Sequence, residues 1–239
     1  GEGYLTLLRR PDVALYTAVT VFTSALVMAA MALFVVQAIN LGLGEGGVGV
    51  FFAVISIGTA IGGTLAGAGS YLGPRAILIA AGAVVVEALG LVLFGLAGGL
   101  GLAIVGLILF GLTADLEEIA MITYFQNRLP EHLYGRFFSL FLIAAGAGGL
   151  IGPIAGPLLA ETWSVGIALP LLALPALALT VVFALREGGI QATMPVPSSS
   201  TPEPEVVGFG LFGVPSQSDL LPDAMPGGRA LAPRLHRLI

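Results

Sequence analysis

The chain has 239 residues, of which 57% are hydrophobic and only 10% are charged, whereas soluble domains carry roughly 25% charged residues. This composition excludes an ordinary soluble domain and, with a mean hydropathy of +1.02, makes a lipid bilayer the expected surroundings. The absence of cysteine excludes disulfides, thiolate metal sites and cysteine nucleophiles. The net charge of −5 gives no reason to expect nucleic acid as a partner.

Residues 1–12 are expected to form a short segment on the cytoplasmic membrane surface, because leucines and Tyr4 precede Arg9 and Arg10. Pro11 and Asp12 then suit the first turn of a helix, where proline is tolerated and a negative charge is favourable. The sequence has no initial methionine and no signal-peptide pattern at its start, so we expect it to be part of a longer protein.

Six apolar segments follow between residues 13 and 186. A helix needs about 20 apolar residues to cross a bilayer, and each segment reaches that length. The predicted fold class is therefore all-α, a polytopic membrane protein with a six-helix transmembrane bundle over residues 13–186. The predicted spans are residues 13–39, 50–72, 77–96, 102–124, 137–159 and 165–185.

Arginine placement predicts how this bundle is oriented. With six spans, one side of the bundle carries every arginine of residues 1–186, and the three loops on the other side carry none. Short loops rich in arginine stay in the cytoplasm. Both termini are therefore predicted to be cytoplasmic, in a multi-pass protein of the cell (inner) membrane. The arginines are Arg9, Arg10, Arg75, Arg128, Arg136 and Arg186.

Carboxylates lie inside two of the predicted spans. Asp115, Glu117 and Glu118 are in the fourth span, and Glu87 lies at nearly the same depth in the third. A charged side chain at the centre of a membrane helix costs about 2.5–3.5 kcal/mol. Asp115 and Glu118 are three residues apart and share a helix face, so we expect them to face a wet cavity and to bind protons or a cationic substrate. Glu117 and Glu87 are the further candidates for proton coupling or substrate binding.

Other interpretations of these carboxylates stay open. Asp115 and Glu118 could instead form hydrogen bonds to a neighbouring helix without a role in transport. Glu117 points roughly 100° away from Glu118 and could serve only to close the cytoplasmic end. For Glu87, a structural bond or an interface contact is the alternative to proton coupling. Other polar span residues either contact substrate or form local hydrogen bonds, namely Gln37, Asn40, Thr113 and Tyr124.

A short polar loop follows the fourth span, and the fifth span begins directly after it. Arg128 and Arg136 are explained as topology anchors, or as gating residues with an ion pair to Glu131 or to a helix end. The gate is expected to comprise Arg128, Glu131, Gly135 and Arg136, with Arg75 in the earlier turn. The two histidines are far apart in the sequence, so no metal site is predicted.

Small residues and prolines recur in the second and fifth spans. Gly58, Gly62 and Ala66 stand four residues apart, a spacing that lets helix backbones approach closely in lipid. In the fifth span, four residues are expected to shape packing and bending rather than to bind a ligand; they are Gly148, Gly152, Pro153 and Gly156. Residues 187–239 are rich in proline, serine and glycine, which predicts a disordered cytoplasmic tail.

Three motifs carry a resemblance to a known family. They are the loop QNRLPEHLYGRFFSL, the end of the second span GSYLGPR, and the fifth-span segment GGLIGPIAGP. Residues 1–186 resemble the C-terminal half of a major facilitator superfamily transporter of the bacterial multidrug, macrolide and siderophore exporter kind. Ser70 stands where the aspartate of the family's cytoplasmic loop falls. Pro157 replaces the last glycine of its antiporter motif, G-x-x-x-G-P-x-x-G-G.

The resemblance implies secondary active transport, specifically proton-coupled efflux of a small amphipathic compound by an antiporter. It implies that the first and fourth spans line a central cavity, the second and fifth flank the interface between halves, and the third and sixth lie outside. The partners implied are lipid, protons, a small-molecule substrate, and a missing N-terminal six-helix half or a second copy. No cofactor and no enzymatic activity are expected. The alternative is a non-transporting membrane subunit or an inactive transporter fragment.

Overall fold

The structure is a computed structural model that describes residues 7–44, 46–67 and 72–192. Most of the tail and Ser70 lie outside the described residues, as do residues 1–6. Arg75 lies in a described helix, but its side chain lies outside the described part. Within these ranges the chain is all-helical and contains no strand, which confirms the predicted fold class.

Six of the helices are long and apolar enough to cross a membrane, in agreement with the six predicted spans. The seventh, α2, is a short continuation of the first span beyond a turn at Leu33. The helices of the described residues are α1 (Pro11–Ala32), α2 (Phe34–Asn40), α3 (Gly47–Gly67), α4 (Leu72–Gly95), α5 (Leu100–Gln126), α6 (Glu131–Thr162) and α7 (Val165–Ala192).

The helix ends follow local chemistry. Pro11 begins α1 with Asp12 in its first turn, and the Asp12 carboxylate accepts a 2.8 Å hydrogen bond from Arg10 Nη2. Gly42 has a φ of 74°, a left-handed conformation that glycine adopts without strain, so the chain turns from α2 towards α3. The last helix continues to Ala192, beyond the predicted end at Leu185, so residues 187–192 are helical rather than part of a tail.

The most extensive helix contacts have an internal symmetry. The first span, α1, packs on α6 and α7; the fourth span, α5, packs on α3 and α4; and α4 packs on α7. This set of neighbours is unchanged when the first, second and third spans exchange places with the fourth, fifth and sixth. The main contacts of the two groups of three spans therefore correspond to one another within the described residues.

Glycines form the closest of these contacts. A Cβ atom on Gly148 or Gly152 of α6 would collide with backbone carbonyl oxygens of α1, and one on Gly156 would lie 2.7 Å from Ala29 Cβ. At the symmetry-related contact, a Cβ on Gly58 of α3 would lie 2.7 Å from the Ile108 carbonyl oxygen of α5. Small residues therefore bring the second and fifth spans against the backbones of their neighbours.

The buried apolar residues form two clusters at different depths. One surrounds Phe34 and Phe94, and the other surrounds Tyr16 and Phe125. On α5 the first cluster ends at Phe110 and the second begins at Ala120, so the carboxylates of the fourth span lie between the two. The bundle thus has a polar layer between two apolar ones, and this layer holds the candidate site.

Candidate functional site: a cavity with two carboxylates

A cavity of about 310 Å³ lies in this polar layer, between α1, α4, α5 and α6. Its polar lining comes from Thr23 and Ser24 of α1, Glu87 of α4 and Glu117 of α5, while Met28 and Gly149 contribute apolar surface. Its size is at the lower end of that of small-molecule sites, which are about 300–1,000 Å³. The two carboxylates are therefore the charged groups with which a bound molecule would interact.

Glu87 is more deeply buried than the carboxylates of the fourth span, with only 3% of the residue exposed. The resemblance placed the third span at the periphery, but this side chain turns into the bundle and lies close enough to Glu117 for their charges to interact. The ion pairs of the described residues involve neither Glu87 nor Glu117. A buried pair of like charges is costly unless a proton or another cation neutralises one of them.

Apart from the two carboxylates, the lining is mostly apolar and contains few polar groups. The Thr23 hydroxyl donates to the Val19 carbonyl at 2.9 Å, so towards the cavity it offers only lone pairs. Pro153 lies inside α6 and has no N–H, so the carbonyl of Gly149 lacks its usual helical donor. No lysine, arginine or histidine is among the described residues that line the cavity. The site therefore suits a ligand that is positively charged or donates hydrogen bonds.

Asp115 and Glu118, which were expected to share one face and one cavity, point in different directions. Asp115 is half-buried and turns towards α3, where a Cβ on Gly63 would lie 3.5 Å from its Oδ2 atom. Glu118 is exposed and lines a narrow cleft beside Tyr16. Of the fourth-span carboxylates, the one that lines the larger cavity is Glu117.

A second polar cluster joins α5 to α7 near the 127–130 turn. Arg128 Nη1 donates a 2.6 Å hydrogen bond to Glu187 Oε2, and the Tyr124 hydroxyl donates to the same oxygen at 2.8 Å. The Arg128 guanidinium also lies over the Tyr124 ring, 4.8 Å from its centroid. Glu187 is buried, so its charge is neutralised by Arg128 rather than by water.

The structure gives Arg128 a different ion-pair partner from Glu131, the residue expected from the sequence. Arg128 pairs with Glu187, whereas Glu131 is exposed and belongs to no ion pair among the described residues. Gly135 and Arg136 are exposed in the first turns of α6. Glu187 was not among the predicted site residues, because the sixth span was expected to end at Leu185. A helical pattern nevertheless extends as far as Glu187. Four buried residues follow one another at helical spacing, namely Ala176, Thr180, Phe183 and Glu187.

The other polar residues of the spans mostly make local or structural hydrogen bonds. Gln37 is buried and donates from Nε2 to the Phe94 and Ala97 carbonyl oxygens, at 3.0 and 3.2 Å. These carbonyls belong to the end of α4, where helical donors run out. The Thr113 hydroxyl donates to the Leu109 carbonyl one turn earlier in its own helix. Gln37 therefore caps a neighbouring helix.

The described residues contain no group of histidine and acidic side chains arranged to hold a metal ion. What the sequence and structure establish is an all-α membrane protein with six helices able to span a bilayer, and a mid-depth cavity that carries two acidic side chains. No protein-family model matches the chain, and no curated protein matches it either.

Proposed function

We propose that this chain is one half of a secondary active transporter of the major facilitator type, and that it exports a small amphipathic compound in exchange for protons. The observation that carries the proposal is that Glu87 and Glu117 line one cavity, to which the described residues contribute no cationic side chain. Membrane-embedded carboxylates are costly and mark ion or proton pathways. Neither Glu87 nor Glu117 forms an ion pair among the described residues.

The two carboxylates of the cavity account for the exchange of a cationic ligand for a proton. With one proton on the pair, the repulsion between Glu87 and Glu117 is relieved and the cavity is stable when empty of ligand. A ligand that carries its own positive charge can replace that proton, since both neutralise the same carboxylates. Binding of the ligand and binding of the proton are then mutually exclusive, which is the condition that antiport requires.

The helix arrangement supports the assignment to a half-transporter. Each six-span half of a major facilitator transporter consists of two three-span repeats of inverted topology. The neighbours found in this bundle are likewise unchanged when its first three spans exchange with its last three. The resemblance of the loop QNRLPEHLYGRFFSL and of the glycines in α6 points to the same family.

A partner is part of this proposal. Glu118 is exposed on a helix that spans the membrane, and hydrocarbon is an unfavourable environment for its charge. A second six-helix unit, either an N-terminal half or another copy, would cover this face and leave water between the two units. Alternating access would then arise from rocking of one unit against the other, with both termini in the cytoplasm.

The test is proton movement in proteoliposomes that contain the chain assembled with its partner half. A pH-sensitive dye inside the vesicles would report protons while ethidium serves as a cationic amphipathic probe. We expect Glu117→Gln and Glu87→Gln each to reduce ethidium-driven proton movement at least tenfold, while Glu161→Gln, an exposed position in the last turn of α6, retains it. Unchanged coupling in both cavity variants would overturn the proposal. Absence of any ethidium-driven proton movement in the unmodified protein would favour the non-transporting subunit.

A further inference from the structure

Four arginines lie at the ends of three membrane-spanning helices, on one side of the bundle. Arg9 and Arg10 directly precede α1, Arg128 follows α5, and Arg186 lies near the end of the sixth span. The buried Glu187 connects them, since it pairs with Arg128 at 2.6 Å and lies 4.0 Å from Arg186 Nε. Arg10 is close enough to Glu187 for their charges to interact. We call these residues, together with Asp12, the arginine cluster.

The exposed part of the arginine cluster is positively charged. Its two acids are shielded from water, because only 9% of the Asp12 side chain and 3% of the Glu187 side chain are exposed. By contrast, 35% of the Arg10 side chain and 51% of the Arg186 side chain are exposed, and Arg9 is exposed as well. The cluster thus combines four guanidinium groups with two carboxylates, and the groups that it presents to the surroundings are cations.

Two of these cations keep their hydrogen-bond donors available. Arg9 belongs to none of the ion pairs of the described residues. Arg186 approaches Glu187 only to 4.0 Å, which is longer than a hydrogen bond. A guanidinium group carries five N–H donors in a planar fork that matches the oxygens of a phosphate. The arginine cluster is therefore suited to a ligand with a phosphate group.

Exposed apolar side chains lead along α7 to this cluster. Val181, Val182 and Leu185 are among the exposed large hydrophobic residues, and Arg186 follows them directly in a helix able to span a membrane. A phospholipid matches both surfaces, since its acyl chains lie along the apolar side chains and its phosphate lies at the level of the arginine. A soluble phosphate compound would leave the apolar surface unused. The ligand that fits the whole surface is therefore a lipid.

We propose that the arginine cluster binds the phosphate group of an anionic phospholipid, which links α1 to α7 through Arg9 and Arg186. The lipid neutralises the excess positive charge of the cluster beside the Arg128–Glu187 pair. Anionic lipids are preferred to zwitterionic ones, because the ammonium group of a zwitterionic lipid offsets the charge of its own phosphate. This site is separate from the cavity of Glu87 and Glu117, and it does not depend on the proposed transport.

The experiment is native mass spectrometry of the full chain, released from micelles that contain phosphatidylglycerol and phosphatidylcholine with the same acyl chains. We expect the unmodified chain to retain phosphatidylglycerol in preference by about tenfold or more, and Arg9→Gln and Arg186→Gln each to reduce that preference about fivefold. Arg136→Gln is the matched control, since Arg136 is an exposed arginine in the first turns of α6 and is not part of the cluster. This control should keep the preference of the unmodified chain. Soluble glycerol 1-phosphate at millimolar concentration should not displace the lipid.

The inference is overturned if the chain retains both lipids equally or if Arg9→Gln and Arg186→Gln both keep the full preference. An equal loss in Arg136→Gln would also overturn it, because the attraction would then belong to the whole positive surface. Displacement by glycerol 1-phosphate would make the ligand a soluble phosphate compound rather than a lipid. If a variant does not fold, the comparison of the two lipids and the displacement test on the unmodified chain still decide. None of these results affects the test of the proposed function, which depends on Glu87 and Glu117.

Discussion

Arg128 Nη1 lies 2.6 Å from Glu187 Oε2 and links the end of the fourth span to the end of the sixth, across 59 residues of chain. Glu187 is almost fully buried, and 18% of the Arg128 side chain is exposed. The ion pair therefore lies at this end of the bundle, and its Glu187 carboxylate on α7 is shielded from water. Removing one partner of such a buried pair costs more free energy than removing one partner of an ion pair on the surface.

Removing one partner of this pair should destabilise the bundle. We expect Arg128→Gln to lower the free energy of unfolding by about 3–5 kcal/mol, because the buried Glu187 carboxylate then loses its close, hydrogen-bonded cation. Denaturation of the purified chain in mixed micelles would measure the change. Arg186→Gln is the matched control, since Arg186 is half-exposed and 4.0 Å from the same carboxylate. Equal effects of the two variants would contradict a specific role for Arg128.

The contact of α6 with α1 should tolerate no side chain at its glycines. Gly152→Ala places a Cβ against the Ala25 carbonyl oxygen, and we expect it to lower the free energy of unfolding by about 1–3 kcal/mol through overpacking. Gly146→Ala in the same helix meets nothing within 4 Å. That control should be neutral or slightly stabilising, because alanine favours the helix. Thermal unfolding of both variants would show the opposite signs, and a loss of stability in both would contradict the packing argument.

Replacing the buried acid of the third span should stabilise the chain at the expense of function. Glu87 has no ion-pair partner among the described residues, and an unpaired buried acid costs free energy that methionine would not. We expect Glu87→Met to raise the free energy of unfolding by about 0.5–2 kcal/mol and to abolish proton coupling. The exposed Glu161 provides a control as Glu161→Met, with little change expected. A strong loss of stability in Glu87→Met would favour the structural interpretation of this residue.

Filling the cavity should block transport without unfolding the bundle. Gly149 lines the cavity, and a Cβ built on it meets nothing within 4 Å. We expect Gly149→Leu to occupy the space beside Glu87 and Glu117 and to reduce ethidium-driven proton movement at least tenfold. Gly146→Leu, on an exposed part of the same helix, should retain transport. Equal transport by both variants would exclude this cavity from the pathway of the ligand.

Local sequence patterns were sufficient to predict the membrane-spanning helices of this fold. Apolar length predicted the six spans, and the recurrence of glycine at every fourth position indicated where helices approach closely. Both signals depend on one helix at a time. The prediction that carboxylates have a functional role also depends on one helix at a time. Glu87 and Glu117 are costly in an apolar segment whatever surrounds them.

The pairing of residues from different helices could not be predicted in this way. Which carboxylates meet depends on the rotation of α4 and α5 about their axes, and the sequence contains no measure of that rotation. Gln37 looked like a candidate ligand residue, but its partners, Phe94 and Ala97, are far away in the sequence. Glu187 was missed because its helix continues into a segment whose composition is typical of a tail.

The glycine contact between α6 and α1 has a mechanical consequence. Gly148, Gly152 and Gly156 bring the two backbones together without side chains that reach into the neighbouring helix. At these glycines a displacement of α6 along its own axis would therefore disengage no side chain of α6, whereas the ring contacts of Tyr16 in α1 with Phe137 and Phe141 in α6 would have to change. α6 also carries Phe137 and Phe141 next to Glu118 and Gly149 next to Glu117. A slide of this one helix would alter the dimensions of both acidic sites together.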